Sequence, residues 1–293
     1  NLIFEKKFFQ SGSNLYLKKF LEKEKKIKSD IIEVHNRPNY IKSLIELDYT
    51  KLILYFHNDP LKMQGSKTIN ERLFLLNNLK YLVFNSNWSK NRFIKKLNLT
   101  TRQKNQLIVI RQSVDPKKIN LEKKKKIITF VGKLNKAKGY DIFGEGVCKI
   151  LDKYPDWTSI VVGDEPREKL NFNHRNFKQL GFLSHDKVLK IYEKTSIAVV
   201  CSRWDEPFGR TSLEAASRGC ATIISNKGGL PETITDGIIL NKLTSNFLYN
   251  KIKKLINDDK LRRKLQSNSL KNFKLTNKFI SKKIDDYRSS LIT

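Results

Sequence analysis

Cysteine is scarce: Cys148, Cys201 and Cys220 are the three in 293 residues, and their spacing is neither paired nor of a metal-binding type. A disulfide framework is thereby set aside, and each thiol, inside or beside an apolar segment, is expected to be free and buried, as in a reducing compartment. Long apolar runs are missing as well, none nearing the ~20 residues needed to cross a bilayer, and no signal-peptide pattern is present. The expectation is a cytoplasmic protein whose membrane contact would be peripheral. Acids are few, 29 against 58 lysines and arginines, a formal charge of +29. That excess has three readings: lysine on solvated faces in a Lys-, Asn- and Ile-rich chain, an anionic membrane surface, or nucleic acid. No nucleic-acid motif accompanies the charge, so nucleic acid is not expected as a partner. Internal repeats of short period are also lacking. At 39% apolar and 10% aromatic residues, the chain can build real cores outside its lysine runs.

What is present reads as two α/β blocks. In the first, short strands are predicted at 30–34, 51–56, 81–84 and 107–110, with helices around 15–26, 70–79 and 87–97. In the second, strands fall at 127–131, 159–162, 177–180, 197–201, 221–225 and 238–240, with helices near 140–153, 187–194 and 211–217. Most strands are short, Val/Ile-rich and nearly continuous in hydrophobicity, as where helices cover both faces of a sheet. Such alternation predicts two doubly wound parallel sheets. The boundary is placed in 115–126, where a proline and the run Lys123–Lys126 interrupt the pattern, and helices are expected at 255–273 and 277–291.

Ligands of doubly wound sheets bind beyond the C-terminal ends of strands. The informative residues follow strands: His57, the segment 132–139, Gly163 with Asp164, Glu206, and the segment 228–232. The stretch FVGKLNKAKGYD joins a strand to a helix through glycines and places Lys133 and Lys138 where they could face a polyanion. It has neither the Gly-Lys-Ser/Thr ending of a P-loop nor the GxGxxG spacing of the dinucleotide fold. In RWDEPFGRTSLE, Glu206 and Glu214 flank a glycine turn that opens a helix, a geometry suited to a diphosphate at one end and hydroxyls at the other. The spacing from Thr211 to Glu214 is equally that of a capping box, which needs no ligand. His35, Arg37, Asn58 and Asp59 are further strand-end candidates, whereas His174 and His185 read as surface or loop residues. In 87–97, Trp88 and Phe93 stand among Lys90, Arg92, Lys95 and Lys96. Either the aromatics pack on the first sheet or this face meets anionic lipid.

The set FVGKLNKAKG, VVGDEP, LGFLSHDKV, EPFGRTSLEAASRG and GGLPETI, in this order, resembles the retaining glycosyltransferases of family 4. The first block is similar more weakly, through DIIEVHNRP, LILYFHNDP and LIVIRQSVDP. The resemblance implies a GT-B fold, with two Rossmann-like domains facing a cleft. An N-terminal acceptor-side domain would span 1–117, a nucleotide-sugar domain 118–272, and a helix at 273–293 would return to the first. It further implies that Lys133 and Lys138 neutralise the donor diphosphate, Glu206 holds the transferred sugar and Glu214 the ribose. Backbone at Phe208, Gly209, Arg210 and Thr211 would meet phosphates or sugar, with Gly132 and Gly163 close by. Gly181 and Phe182 would border the base, and His57 would approach the sugar. The implied reaction is metal-independent hexosyl transfer from a UDP- or GDP-sugar to a glycan or lipid-linked acceptor of envelope polysaccharide or lipopolysaccharide. No cofactor is expected, and no Asp-x-Asp stands at a strand end. Attack from the face of the departing group would leave Glu206 and Glu214 to bind and orient, unlike a glycosidase pair.

The sequence departs from the family in two places. The usual first strand and glycine-rich loop have no clear counterpart, Ser11–Gly12–Ser13 being at most a degenerate one, so a truncated N-terminal domain is expected. Lys133 stands where arginine is common, keeping charge without a bidentate fork. A nucleotide-sugar binder without turnover is the alternative to an enzyme.

Overall fold

The structure, a computed structural model, describes residues 12–47, 51–115 and 117–292. It divides into two compact units, one drawn from Asn1–Asn85, Ser89–Ile110 and Lys283–Thr293, the other from Ser86–Trp88 and Arg111–Lys282. The division thus falls between Ile110 and Arg111, a few residues before the proline at 116. Val114 already belongs with the second unit, where its N–H donates to Leu275 O at 3.1 Å.

The first unit contains α1 (Gly12–Ile27), β1 (Ile32–His35), α2 (Ile41–Ile45), β2 (Leu52–Phe56), α3 (Ile69–Asn78), β3 (Tyr81–Phe84), α4 (Asn87–Ile94), α5 (Thr101–Asn105) and β4 (Leu107–Val109). Among the described residues its four strands are parallel in the order β1-β2-β3-β4. Central β2, LILYF, is buried along its whole length, as its unbroken apolar run requires. Helix α3 starts at a capping box, Thr68 Oγ1 accepting from Glu71 N while the Glu71 carboxylate accepts from Thr68 N. Phe93 of α4 is fully buried and meets Phe84 and Phe56 at ring distances of 5.3 and 5.5 Å. Packing therefore accounts for this aromatic. Buried Arg72 donates through Nη1 to Phe93 O and, at 2.8 Å, to Lys95 O, which anchors the end of α4. Gly12 is the first residue of α1, and Ser11 lies outside the described residues.

The second unit comprises β5 (Lys125–Val131), α6 (Tyr140–Lys153), β6 (Thr158–Val162), β7 (Phe177–Gln179), α7 (His185–Lys194), β8 (Thr195–Val200), α8 (Arg210–Ser217), β9 (Ala221–Ser225), β10 (Ile238–Leu240), α9 (Ser245–Asn257) and α10 (Asp259–Lys271). All six strands are parallel, ordered β10-β9-β8-β5-β6-β7. From β5 the chain runs outward through β6 and β7, then returns to the other side of β5 as β8. The strand order reverses between β5 and β8, the switch point beyond which ligands of doubly wound sheets bind.

The core lies between this sheet and its helices. Phe143, Val147, Ile150 and Leu151 of α6 are fully buried, with Leu248, Ile252 and Leu255 of α9 in the same cluster. Each such side chain contributes about 1.5–3 kcal/mol on burial. The single helix expected over 255–273 is instead broken. Asp258 ends α9 and caps α10, its carboxylate accepting from Leu261 N at 2.8 Å. Lys124, just before β5, is partly buried and donates to the carbonyls of Tyr192 at 2.8 Å and Arg218 at 2.6 Å, and burial lowers its pKa. The last helix, α11 (Asn277–Ile292), begins in the second unit and ends in the first. There Tyr287 meets Tyr81 edge-on at 4.8 Å, and Arg288 grips the Glu33 carboxylate at 2.6 and 3.0 Å. Among the described residues no helix is long and apolar enough to cross a membrane.

Candidate functional site

At the switch point of the second sheet, the loop after β5 supplies the cations and the loop after β8 the acids. Asn135 shapes the first loop. Its Oδ1 accepts from Lys138 N at 3.0 Å, closing the turn Lys136–Lys138 ahead of Gly139. Gly139 has φ +75°, and a Cβ there would lie 2.0 Å from Cys201 O, so only glycine allows this turn to reach the β8 loop. Lys138 thereby meets Glu206, its ammonium donating to Glu206 Oε1. Lys133 is exposed on the same loop.

Glu206 is fixed from behind by the loop after β9. Gly229 N donates to Glu206 O at 2.6 Å, and a Cβ on Gly228, φ +61°, would stand 2.1 Å from the same oxygen. Glu232 closes that loop by accepting from Arg111 at 3.0 Å. Gly132 and Gly163 lie at neighbouring strand ends, Gly132 N donating to Val162 O at 3.0 Å and Gly163 N to Gly181 O at 2.8 Å. Beyond Gly181 the space is open, and Phe182 is 79% exposed.

Glu214 behaves differently from its spacing. Gly209 is the N-cap of α8 and no side chain caps the helix, so the Thr211–Glu214 capping box does not form. The Glu214 carboxylate, 6% exposed, instead accepts from Arg210 Nε at 3.1 Å and pairs with His185 Nε2 at 2.9 Å. His185, read from sequence as a surface residue, is thus exposed but tied to the site. Their separation of 29 positions hid the pairing. His174 is a turn residue, its Nδ1 accepting from Asn176 N. Phe208 contributes backbone only, because its ring is buried with Val114 and Leu213. The structure therefore brings Lys138 of the β5 loop to Glu206 of the β8 loop, which runs through Gly209 into Arg210, Thr211 and Glu214 of α8, with Gly132, Lys133, Gly163, Gly181 and Phe182 on this and the adjoining strand ends.

In the first unit, His35 ends β1 and His57 follows β2. Their rings are stacked 5.2 Å apart, and His35 Nδ1 and His57 Nε2 share one hydrogen bond of 2.9 Å. Asn36 Oδ1 accepts from His57 N and Asn85 Nδ2 donates to His57 O, pinning the turn. Burial lowers the pKa of both rings, helped for His57 by His35, so both are neutral at neutral pH. Asp59 proves structural, since it is buried, pairs with Arg92 at 3.0 Å and accepts from Leu61 N. Arg37, on the exposed turn after β1, borders a 340 Å³ pocket with Asn58.

Comparison with known proteins matches this arrangement to a family. Residues 111–272 match the family described as glycosyl transferases, group 1. Spore coat protein SA of Bacillus subtilis is 32% identical over 126 residues, 39% of this chain and 33% of that protein. The lipopolysaccharide core biosynthesis mannosyltransferase LpsB of Rhizobium meliloti is 29% identical over 131 residues, 41% of this chain and 37% of LpsB. The matched stretches thus span about a third of these relatives. The crystal structure of Anabaena Alr3699/HepE in complex with UDP-glucose superposes with a TM-score of 0.77 over 96% of this chain and 84% of that one, at 18% identity, a likeness of fold. The family match covers more than half of the chain and contains the whole switch-point site: the chain belongs to the group 1 glycosyltransferases.

Proposed function

We propose that the chain transfers a hexosyl group from a nucleoside diphosphate sugar to a glycan or lipid-linked acceptor, with retention at the anomeric carbon. The observation that carries this reading is the meeting of Lys138 and Glu206 at the β5/β8 switch point, beside the N-terminus of α8. As the bond between the anomeric carbon and the diphosphate oxygen breaks, negative charge grows on the leaving group. Lys133, Lys138 and the first N–H groups of α8 stabilise that charge, without recourse to a metal in this reading. Lys138 is already paired with Glu206, so an incoming diphosphate shares an ammonium that is held in place beforehand. Glu206 then accepts hydrogen bonds from sugar hydroxyls and Glu214 from the ribose, His185 and Arg210 holding the second carboxylate in orientation. The acceptor oxygen bonds to the anomeric carbon on the face the diphosphate leaves, and its proton passes to a phosphate oxygen. His57 keeps its Nδ1 edge for a hydroxyl, Nε2 being taken by His35.

Support for the donor class comes from HepE, whose structure holds UDP-glucose, and for an envelope role from the name of LpsB. We further place the protein in the cytoplasm, its +29 charge favouring an anionic membrane surface. Screening UDP, GDP and their hexoses for thermal stabilisation tests the reading first. About 2.7 kcal/mol is expected at one hundred times the dissociation constant. Turnover of a stabilising sugar nucleotide with oligosaccharide or lipid acceptors follows. Absence of any nucleotide binding would overturn the proposal.

A further inference from the structure

Lys138 and Glu206 sit on loops that leave different strands, so their meeting depends on what holds one loop against the other. The guanidinium of Arg203 does so directly. Nη1 donates to Lys136 O and to Asp141 Oδ1, both at 2.6 Å, and Nη2 donates to Asp141 Oδ2 at 2.8 Å. Backbone contacts continue the seam. The N–H groups of Arg203 and Trp204 donate to Ala137 O at 2.9 and 3.1 Å, and Cys201 Sγ donates to Gly139 O at 3.2 Å. Lys138 lies inside the clamped turn, and Glu206 lies three residues beyond Arg203.

We propose that Arg203 is a positioning residue, whose bidentate grip on Asp141 sets Lys138 and Glu206 in register for the sugar diphosphate. This rests on the transferase reading above. The pair is not a stability device, because Arg203 is 39% exposed and such pairs contribute little to folding. Its effect is geometric. The fork bonds two carboxylate oxygens and a carbonyl at once, which fixes direction as well as distance. A lysine at 203 keeps the charge but offers a single ammonium in place of the planar fork.

The test is a double-mutant cycle on turnover, using Arg203→Ala, Asp141→Ala and the pair, with Arg203→Lys as the conservative variant. Arg203→Ala is expected to lower kcat by about 10–100-fold, with a smaller change in donor KM, as a shift of the loops by a fraction of an ångström would. The double variant should be no slower than the slower single one, because both remove the same clamp. Arg203→Lys should fall between wild type and Arg203→Ala. Melting temperatures within about 3 °C of wild type separate positioning from loss of fold. Additive effects of the two alanines, or an Arg203→Lys as fast as wild type, would overturn the clamp alone. Should Arg203→Ala fail to fold, the lysine variant decides. A wild type that turns over no sugar nucleotide overturns the transferase reading and this inference together.

Discussion

The two sheets solve the same problem in different currencies of interaction. At the strand ends of the second, side chains of opposite charge are paired: Lys138 with Glu206 and Arg203 with Asp141 across two loops, and Arg210 with Glu214 along α8, where His185 adds a hydrogen bond. At the strand ends of the first, His35, Tyr55 and His57 stack as neutral rings and asparagines pin the turn, the Arg288–Glu33 pair lying at the edge. Fixed charge suits the anionic donor proposed for the second unit. Neutral rings and amides exchange hydrogen bonds with water and hydroxyls at little desolvation cost. The difference teaches that parallel sheets of similar build are specialised by the loops at their carboxyl ends.

The sharpest way to break the comparison is to damage each core alone. Phe93→Ala in the first unit and Phe143→Ala in the second each remove a fully buried ring, and each should cost about 3–5 kcal/mol. Hydrogen exchange read by strand should show the loss in β1–β4 for one and in β5–β10 for the other. Uniform loss in both would mean that the units do not unfold separately. Next come the ions: Lys138→Ala and Glu206→Ala should each lower turnover by about 100–1,000-fold with the fold kept. Undiminished transfer by either variant removes its role. Gly228→Ala places a methyl against Glu206 O at a left-handed φ and should destabilise the second unit by about 2–3 kcal/mol, seen as a lower urea midpoint.

The neutral rings give a pH test. His35 and His57 have folded pKa values below the ordinary 6.5, chiefly through burial, with Glu33 opposing and Arg288 reinforcing the shift at His35. The unfolded chain therefore binds protons first. The stability these rings confer is complete above ~6.5 and is lost as pH falls through their folded values. Urea midpoints of the first unit should decline as pH falls below ~6.5, and His57→Asn should flatten that decline. An unchanged slope in the variant would refute the assignment. Smallest, Thr68→Ala removes the cap of α3 and should cost about 1 kcal/mol.

Strands were the most legible part of the chain because most are short, Val/Ile-rich runs bounded by polar residues, and the ten among the described residues lie where they were predicted. Helix ends were less so. The amphipathic pattern of α9 continues into α10, and Asn257–Asp258–Asp259 was the signal that a cap intervenes. The short helix α5 also had a signal, the capping box of Thr100 and Gln103. At the site, the strand-end residues could be picked out, but their partners could not. His185 reaches Glu214 across 29 residues, and Arg92 reaches Asp59 across 33. Only the folded sheet brings such pairs together, and no local spacing encodes them.

Lysine dominates the surface of this molecule, so reagents that modify amines will mark it almost everywhere and reveal little about shape. Lys124 is the useful exception. With its ammonium committed to the carbonyls of Tyr192 and Arg218, it should acylate slowly in the native protein and quickly once the second unit opens. Its labelling rate, read by mass spectrometry, is a built-in clock for that opening.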